Sequence, residues 1–489
     1  MPETKPPLLP PFLTTPLLTL FLLTLTLFIS IPLKLYHTLV TLLRPLLYPT
    51  LLSQLTPYDS IFAIDNLDHP HAANITLIYL DGNLTREQVL AKFTQLLKKP
   101  NFIKLQQIII NFHGYFYWKK CTDFNVAKHV KSVDNLFPWL LEEEDHDSIL
   151  FNYLAGKMVE KFPEGDPLWD VGVVGGFKGG QSVLVIRIHH TYADGYSQNF
   201  LVDELFGVRS GYFVKEKVGG RGRLLPLLLR APRMLTSLYR DALTSPPNHY
   251  TQKKTSTTGV ISITTLDLPR YKQIRRKTST HFASIGMSLM CGALRRYYTE
   301  THPPHTLPPT VGIMHSLPKP NHPLTKLVNH WGVGLFKIPI SIGDPLERLV
   351  KTEENFVNYL NLGYDELLHL HMPILGWFPS WLLKRFFNLN FGTSMGFTSV
   401  PAVEAGVKWG DVEVLKMGKV FGFQWGQTAI ATAVYTHQST ATITLYANKD
   451  IVPDQEAINR INKYLREEFD ELFKQVEQSY KRQGGGKLG

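Results

Sequence analysis

Residues 186–195 read IRIHHTYADG, and the two histidines follow directly on the apolar run QSVLVIRI. His189 and His190 are adjacent, and Asp194 and Gly195 stand four and five positions after the second histidine. An imidazole with a near-neutral pKa can take a proton from an alcohol or amine nucleophile. Neighbouring residues on a strand point to opposite faces. One histidine is therefore expected to face a cleft and the other the core. The same alternation argues against joint ligation of one metal ion, and no H-E-x-x-H segment or cysteine pair completes such a site. Asp194 is too near in sequence to share a plane with the imidazole as a triad carboxylate. It is expected to hold the loop, by accepting backbone N–H groups or by pairing with an arginine. Gly195 permits positive φ and leaves room for a substrate. No G-x-S-x-G elbow is present, so an acyl group would pass directly between bound substrates, without a covalent intermediate.

The flanking segments supply the elements that must hold these residues. LWDVGVVGGFKGGQSVLVIRIHH reads as strand, glycine turn, strand. NITLIYLDGNL reads as another strand ending in an Asp-Gly turn. TREQVLAKFTQLLKK has helical spacing, with Thr85 as its N-cap and Glu87 close behind. HDSILFNYLAGKMVEKF is an amphipathic helix. A basic segment at 208–254 interrupts this pattern, and the pattern then restarts with the strand GVISITTLDL and the helix ASIGMSLMCGALRRYYTE. The last helix, PDQEAINRINKYLREEFDELFKQVEQSYKR, begins at a proline and acidic residues. The class is α+β with antiparallel pairing, and two like-folded halves of similar size are expected to face each other across a cleft. GGGKLG ends the chain as a tail over 481–489.

At 489 residues with 44% hydrophobic content, the chain is long enough for such a pair and is not generally disordered. Two cysteines fit a reducing compartment. The net charge of +10 is uneven: Arg209 to Lys254 holds ten Lys/Arg against Glu216 and Asp241, about +8. Its leucine-rich part, 223–243, reads either as a segment on an anionic membrane or as a basic linker. A nucleic-acid partner is not expected, because no recognition motif accompanies the charge. No charged residue lies between Lys5 and Lys34, and LLTLFLLTLTLFISIPL (17–33) predicts a retained transmembrane anchor within 1–52. Residues 35–52 read as interfacial or as a second hairpin arm, and Lys34 and Arg44 favour a cytosolic body. The aromatic run 377–387 reads as core, tunnel wall or bilayer contact.

HHTYADG resembles the HHxxxDG signature of acyltransferases related to chloramphenicol acetyltransferase and to peptide-synthetase condensation domains. The chain resembles, more specifically, the wax ester synthase/diacylglycerol acyltransferase family. PLW (Pro167–Trp169), TPYDSIFAID around Asp59, ASIGMSLMCGALRRYY, NHWGVGLFKIPI (Asn329–Ile340) and ANKDIVPDQEAI carry the likeness in order across 55–475. Two departures stand out. Ile285-Gly286-Met287 replaces the family's Asn-Asp, and Thr398–Ala402 replaces N-V-P-G-P. The resemblance implies two chloramphenicol acetyltransferase-like subdomains, 53–207 and 255–480, around a central tunnel. It implies acyl-CoA as co-substrate with no bound cofactor, and a long-chain alcohol or diacylglycerol as acceptor. His190 would be the general base, supported by His189, Asp194 and Gly195. Binding residues and oxyanion donors are not implied. An amine or sterol acceptor, or an inactive lipid-binding or transfer protein of the same fold, are the alternatives. The expected location is a membrane, that of the endoplasmic reticulum or of lipid droplets, with the catalytic part in the cytosol.

Overall fold

The computed structural model describes residues 11–133, 136–137, 143–209, 249–251, 256–318, 321–388, 392–401, 406–422 and 428–482. The basic stretch 223–243 and the tail from 483 lie outside the described residues.

The chain begins with one helix, α1 (Pro11–Leu47), followed by β1 (Leu51–Gln54) and the short α2 (Pro57–Ala63). The strand β2 (Ala73–Leu80), α3 (Arg86–Leu96), β3 (Gln107–Phe112), β4 (Tyr115–Lys120), α4 (Val126–His129) and β5 (Val130–Val133) come next. α5 (Glu143–Val159), β6 (Trp169–Phe177), β7 (Gln181–His189) and α6 (Gly195–Phe206) complete the first half. In the second half, β8 (Gly259–Asp267), α7 (Leu268–Thr278), α8 (Phe282–Thr301), β9 (Thr310–Pro318) and β10 (Trp331–Pro339) precede α9 (Pro345–Leu362), α10 (Tyr364–Leu375) and α11 (Ser380–Phe387). β11 (Met395–Pro401), β12 (Lys408–Trp409), β13 (Val412–Phe421), β14 (Ile430–His437), β15 (Thr440–Asn448) and α12 (Gln455–Arg482) end it.

Two six-stranded sheets form the body, in the orders β12-β13-β2-β7-β6-β5 and β10-β9-β11-β14-β15-β8. The expected alternation of strands and helices is present in both halves. β13 comes from the second half of the sequence yet pairs antiparallel with β2, from Asn74↔Phe421 to Leu80↔Val414. This exchange ties the two sheets together. Local chemistry fixes the element ends. Thr85 caps α3 in a reciprocal capping box with Gln88, which satisfies two of the helix's free N–H groups. Asp267 and Asp344 cap α7 and α9 by accepting from Arg270 N and Glu347 N, each followed by proline at the helix start. On β7, Leu184, Ile186 and Ile188 enter one core, while Val183 and Val185 enter another beneath α5. Period two thus sorts the strand between two apolar layers.

The N-terminus differs from the expectation of a spanning helix at 17–33 and a separate interfacial segment. α1 runs unbroken through the first and on as far as Leu47, 37 residues long, about 55 Å at the α-helical rise. Among the described residues, no helix is long and apolar enough to cross a membrane. The C-terminal part of α1 is fastened to the body instead. Tyr36 Oη donates to the His113 carbonyl at 3.1 Å, Arg44 Nη1 to the Leu51 carbonyl at 2.6 Å, and Lys34 lies 5.1 Å from the centre of the Trp377 ring.

Candidate active site

His189 and His190 leave β7 in opposite directions, as period two requires. His189 is fully buried. Its Nε2 lies 3.3 Å from the Asp65 carboxylate, and its Nδ1 lies 2.9 Å from Thr191 Oγ1. Asp65 is held in turn by the backbone N–H groups of His71 and Ala72 at 2.7 and 2.8 Å. Burial alone would raise the Asp65 carboxyl, but the His189 hydrogen bond and these N–H donors hold it below the ordinary carboxylate range.

His190 is half-buried on the wall of a cavity of about 780 Å³, its mouth included. Residues from both halves line this cavity, among them Phe62, Trp331, Phe397, Val400 and Phe421. Such a pocket, apolar with few polar groups, is suited to an acyl or alkyl chain. Phe62 stacks on the imidazole with ring centres 3.8 Å apart. The His190 backbone N–H donates to the Ala72 carbonyl at 2.7 Å, which extends the β7–β2 pairing one residue past the strand.

The tautomer of His190 follows from its neighbour. Asn329 Nδ2 donates to Asp59 Oδ1 at 2.8 Å, to the His190 carbonyl at 2.8 Å and to the Thr191 carbonyl at 3.1 Å. All three partners are acceptors, so the amide cannot be turned the other way. Its oxygen then faces His190 Nδ1 at 3.1 Å. Nδ1 must carry the proton, and Nε2 keeps its lone pair. Lys104 Nζ lies 3.3 Å from Asp59 Oδ2 and also donates to the Tyr192 carbonyl at 2.9 Å. A chain of polar groups therefore runs Lys104–Asp59–Asn329–His190. Burial pushes the His190 imidazole down to about 4, only partly offset by the charge of Asp194. The ring is thus neutral at physiological pH.

Among the described residues, no arginine pairs with Asp194. It is the N-cap of α6, accepting from Ser197 N at 2.9 Å, and it also accepts from His330 N at 2.7 Å and lies 2.9 Å from His322 Nε2. Burial pushes its carboxyl up, but His322 and the two N–H groups outweigh this and hold it below the ordinary value. Gly195 departs from the expectation of positive φ: it has none and is the first residue of α6. A Cβ there would meet Val400 Cγ2 at 3.3 Å, so what the position requires is thinness beside the cavity. The segment 327–330 comes from the second half and docks on the histidine loop. Asp194 N donates to the Val328 carbonyl at 3.0 Å, and Ser197 Oγ donates to the same carbonyl at 2.9 Å.

The sequence reading singled out His189, His190, Asp194 and Gly195, and the fold brings all four to one loop. It did not identify Asn329, Lys104, His322 or Lys419 as site residues. Asn329 and Asp59 lie inside NHWGVG and TPYDS, so the signal was present, but their pairing across 270 residues has no sequence signature. The departures from the family pattern also border the site. Thr398 and Val400 line the cavity, and a Cβ on Gly286 would come within 3.0 Å of the cavity residue Phe397.

Two sheets joined by an exchanged strand, with a histidine between them at a strand end, define the fold. Solved structures of low identity share it. A wax ester synthase/diacylglycerol acyltransferase from Marinobacter aquaeolei VT8 matches with a TM-score of 0.58 at 15% identity, over 87% of this chain and 100% of that one. The first condensation domain of the CDA synthetase matches with a TM-score of 0.55 at 13% identity, over 86% and 96% of the two chains. A trichothecene 15-O-acetyltransferase from Fusarium sporotrichioides matches with a TM-score of 0.60 at 10% identity, over 86% and 94%. Residues 55–207 match the wax ester synthase/diacylglycerol acyltransferase catalytic domain. A probable diacylglycerol O-acyltransferase of Mycobacterium tuberculosis is 27% identical over 85 residues. That match spans 17% of this chain and 17% of the relative's length.

Proposed function

We propose that this chain is an acyl-CoA-dependent O-acyltransferase that transfers a fatty acyl group to a long-chain alcohol, to diacylglycerol, or to both. The observation that carries the reading is the free Nε2 of a neutral His190 on an apolar cavity, with its Nδ1–H fixed by Asn329. In the proposed reaction the acceptor hydroxyl lies against His190 Nε2. The imidazole takes the hydroxyl proton as the oxygen attacks the thioester carbonyl of acyl-CoA. The tetrahedral intermediate collapses with cleavage of the C–S bond, and the imidazolium returns the proton to the departing CoA sulfur. The positive charge on the ring is transient. Asn329 Oδ1 accepts from Nδ1–H throughout, and the Asp59 carboxylate behind it favours that charge. His189, Asp194 and Gly195 hold the loop. No group beyond the two substrates is required.

We further infer that the molecule works at a lipid surface, on the endoplasmic reticulum or on lipid droplets, with its body in the cytosol. Phe28, Ile31, Leu35, Leu39, Leu42 and Leu46 follow helical spacing on α1, and all are exposed. On α11, Trp381 is also exposed and is followed by the basic Lys384 and Arg385 of the last turn. An apolar stripe with basic neighbours suits an anionic interface.

The test offers the full chain palmitoyl-CoA with hexadecanol, diolein, cholesterol and a long-chain amine, and separates the lipid products. Wax ester or triacylglycerol is expected. Product from the sterol or amine alone would move the acceptor class. Binding of acyl-CoA without any product would favour the lipid-binding alternative.

A further inference from the structure

His190 does not account for all the polar chemistry of its cavity. Asn74 sits on β2 opposite Ile188 of β7 on one side and Phe421 of β13 on the other. His190 stands two residues beyond Ile188, and Lys419 stands two before Phe421. The register therefore puts Asn74, His190 and Lys419 on the same face of the sheet. Asn74 is the diagonal cross-strand neighbour of each, a relation that spans roughly 7–8 Å between Cα atoms, with His190 and Lys419 on opposite sides of it. All three line the one cavity.

Asn74 is buried, with 4% of its surface exposed, and its side-chain oxygen has no hydrogen-bond partner among the described residues. A buried carboxamide oxygen without a donor is unfavourable, and a ligand group that donates to it would recover that loss. Lys419 is also buried. Its ammonium donates to the Gly195 carbonyl at 2.9 Å and to Asn199 Oδ1 at 3.2 Å. A protonated lysine has three donors; two are used here, and the ammonium also lies 5.6 Å from the centre of the Tyr435 ring. Burial pushes this amine down to about 7, and Asp194 only partly opposes that.

We propose that Asn74 and Lys419 form a second polar subsite beside His190, which takes an oxygen function carried by the acyl acceptor next to its reacting hydroxyl. The chemistry fits an ester carbonyl, which accepts from Lys419 and the Asn74 NH2, or a second hydroxyl, which donates to the Asn74 oxygen. A partial glyceride has such an oxygen and a simple alkanol does not. The subsite thus directs the enzyme toward the glyceride, because a site built to bond a polar group discriminates against an analogue that lacks it. This rests on the acyltransferase reading above.

The test is a competition between diolein and hexadecanol for palmitoyl-CoA in the full chain, read as the ratio of triacylglycerol to wax ester. Wild type must form ester from at least one of the two, and if it forms neither, the acyltransferase reading itself fails. Given activity, wild type is expected to favour diolein. Asn74→Leu, which keeps the size and removes both polar atoms, is expected to shift the ratio at least tenfold toward wax ester. Asn74→Ser, which restores a donor and acceptor, is expected to recover part of that shift. Lys419→Met should move the ratio in the same direction; because it also releases Gly195 and Asn199, it is compared with wild type only after thermal unfolding has shown a folded protein. A ratio in Asn74→Leu equal to that of wild type, with both products reduced alike or neither reduced, would overturn the subsite.

Discussion

At the scale of single residues, the side chains around His190 determine which nitrogen can act. Asn329 is held by three acceptors, so its oxygen can only meet Nδ1–H. Asn329→Leu removes that acceptor and lets the ring turn or change tautomer. Turnover with hexadecanol and palmitoyl-CoA is expected to fall about 100-fold, the order typical of losing a positioned general base, with a folded protein by circular dichroism. The pH profile follows from the depressed imidazole. The base is active when neutral, so kcat/KM should rise with pH through about 4 and stay flat through 6 to 8. A midpoint near the ordinary histidine value would show a solvated ring. Much of this site was legible in the sequence. The alternation in IRIHH separates a core histidine from a cleft histidine, and the structure has His189 on Asp65 and His190 at the cavity. The partners were not legible. Asp194 meets His322, 128 residues away, and no local pattern encodes a contact that only the docking of the second half creates.

At the scale of elements, the helix and strand ends were readable because capping is local. Thr85 ahead of α3 is an example: its side chain and that of Gln88 lie within one turn. The sheet partner of β13 was not. VEVLKMGKVF alternates as a strand should, but alternation says nothing about which sheet a strand joins, and β13 pairs with β2 from the other half. Without that strand, Lys419 and Phe421 would not reach the His190 cavity. The glycine in α8 is a related case. Gly286 stands in a segment where the resembled family carries Asn-Asp, and here Phe397, Tyr271 and Val434 crowd it at 3.0–3.1 Å from a Cβ. Gly286→Asn forces those neighbours apart. It is expected to destabilise the fold by about 2 kcal/mol, the usual size of overpacking, measured by urea unfolding. It should also displace Phe397 from the cavity wall.

At the scale of the whole molecule, the apolar character of the N-terminus was legible, but its form was not. Hydropathy gives a span from 17 to 33 and treats 35–52 separately. The structure continues one helix to Leu47 and fastens its end through Tyr36, His37 and Arg44 to the β1-β4-β3 sheet. Mean hydropathy cannot report such contacts, because they come from the few polar side chains in an apolar run. The outward stripe is the part of the helix that the proposed function offers to lipid. Leu39→Glu with Leu46→Glu is expected to cut the fraction sedimenting with phosphatidylcholine/phosphatidylserine vesicles severalfold. Each substitution trades buried apolar area for a charge repelled by the anionic surface. Sedimentation equal to wild type would remove this helix from the interface.

The central claim is that His190 is the base that activates the acceptor. Its most direct test is the turnover of His190→Ala in the full chain, with palmitoyl-CoA and both hexadecanol and diolein, beside wild type at equal folded concentration. Ester formation is expected to fall by at least about 100-fold for every acceptor the wild type uses, while acyl-CoA binding persists. Turnover of His190→Ala within a fewfold of wild type would contradict the account.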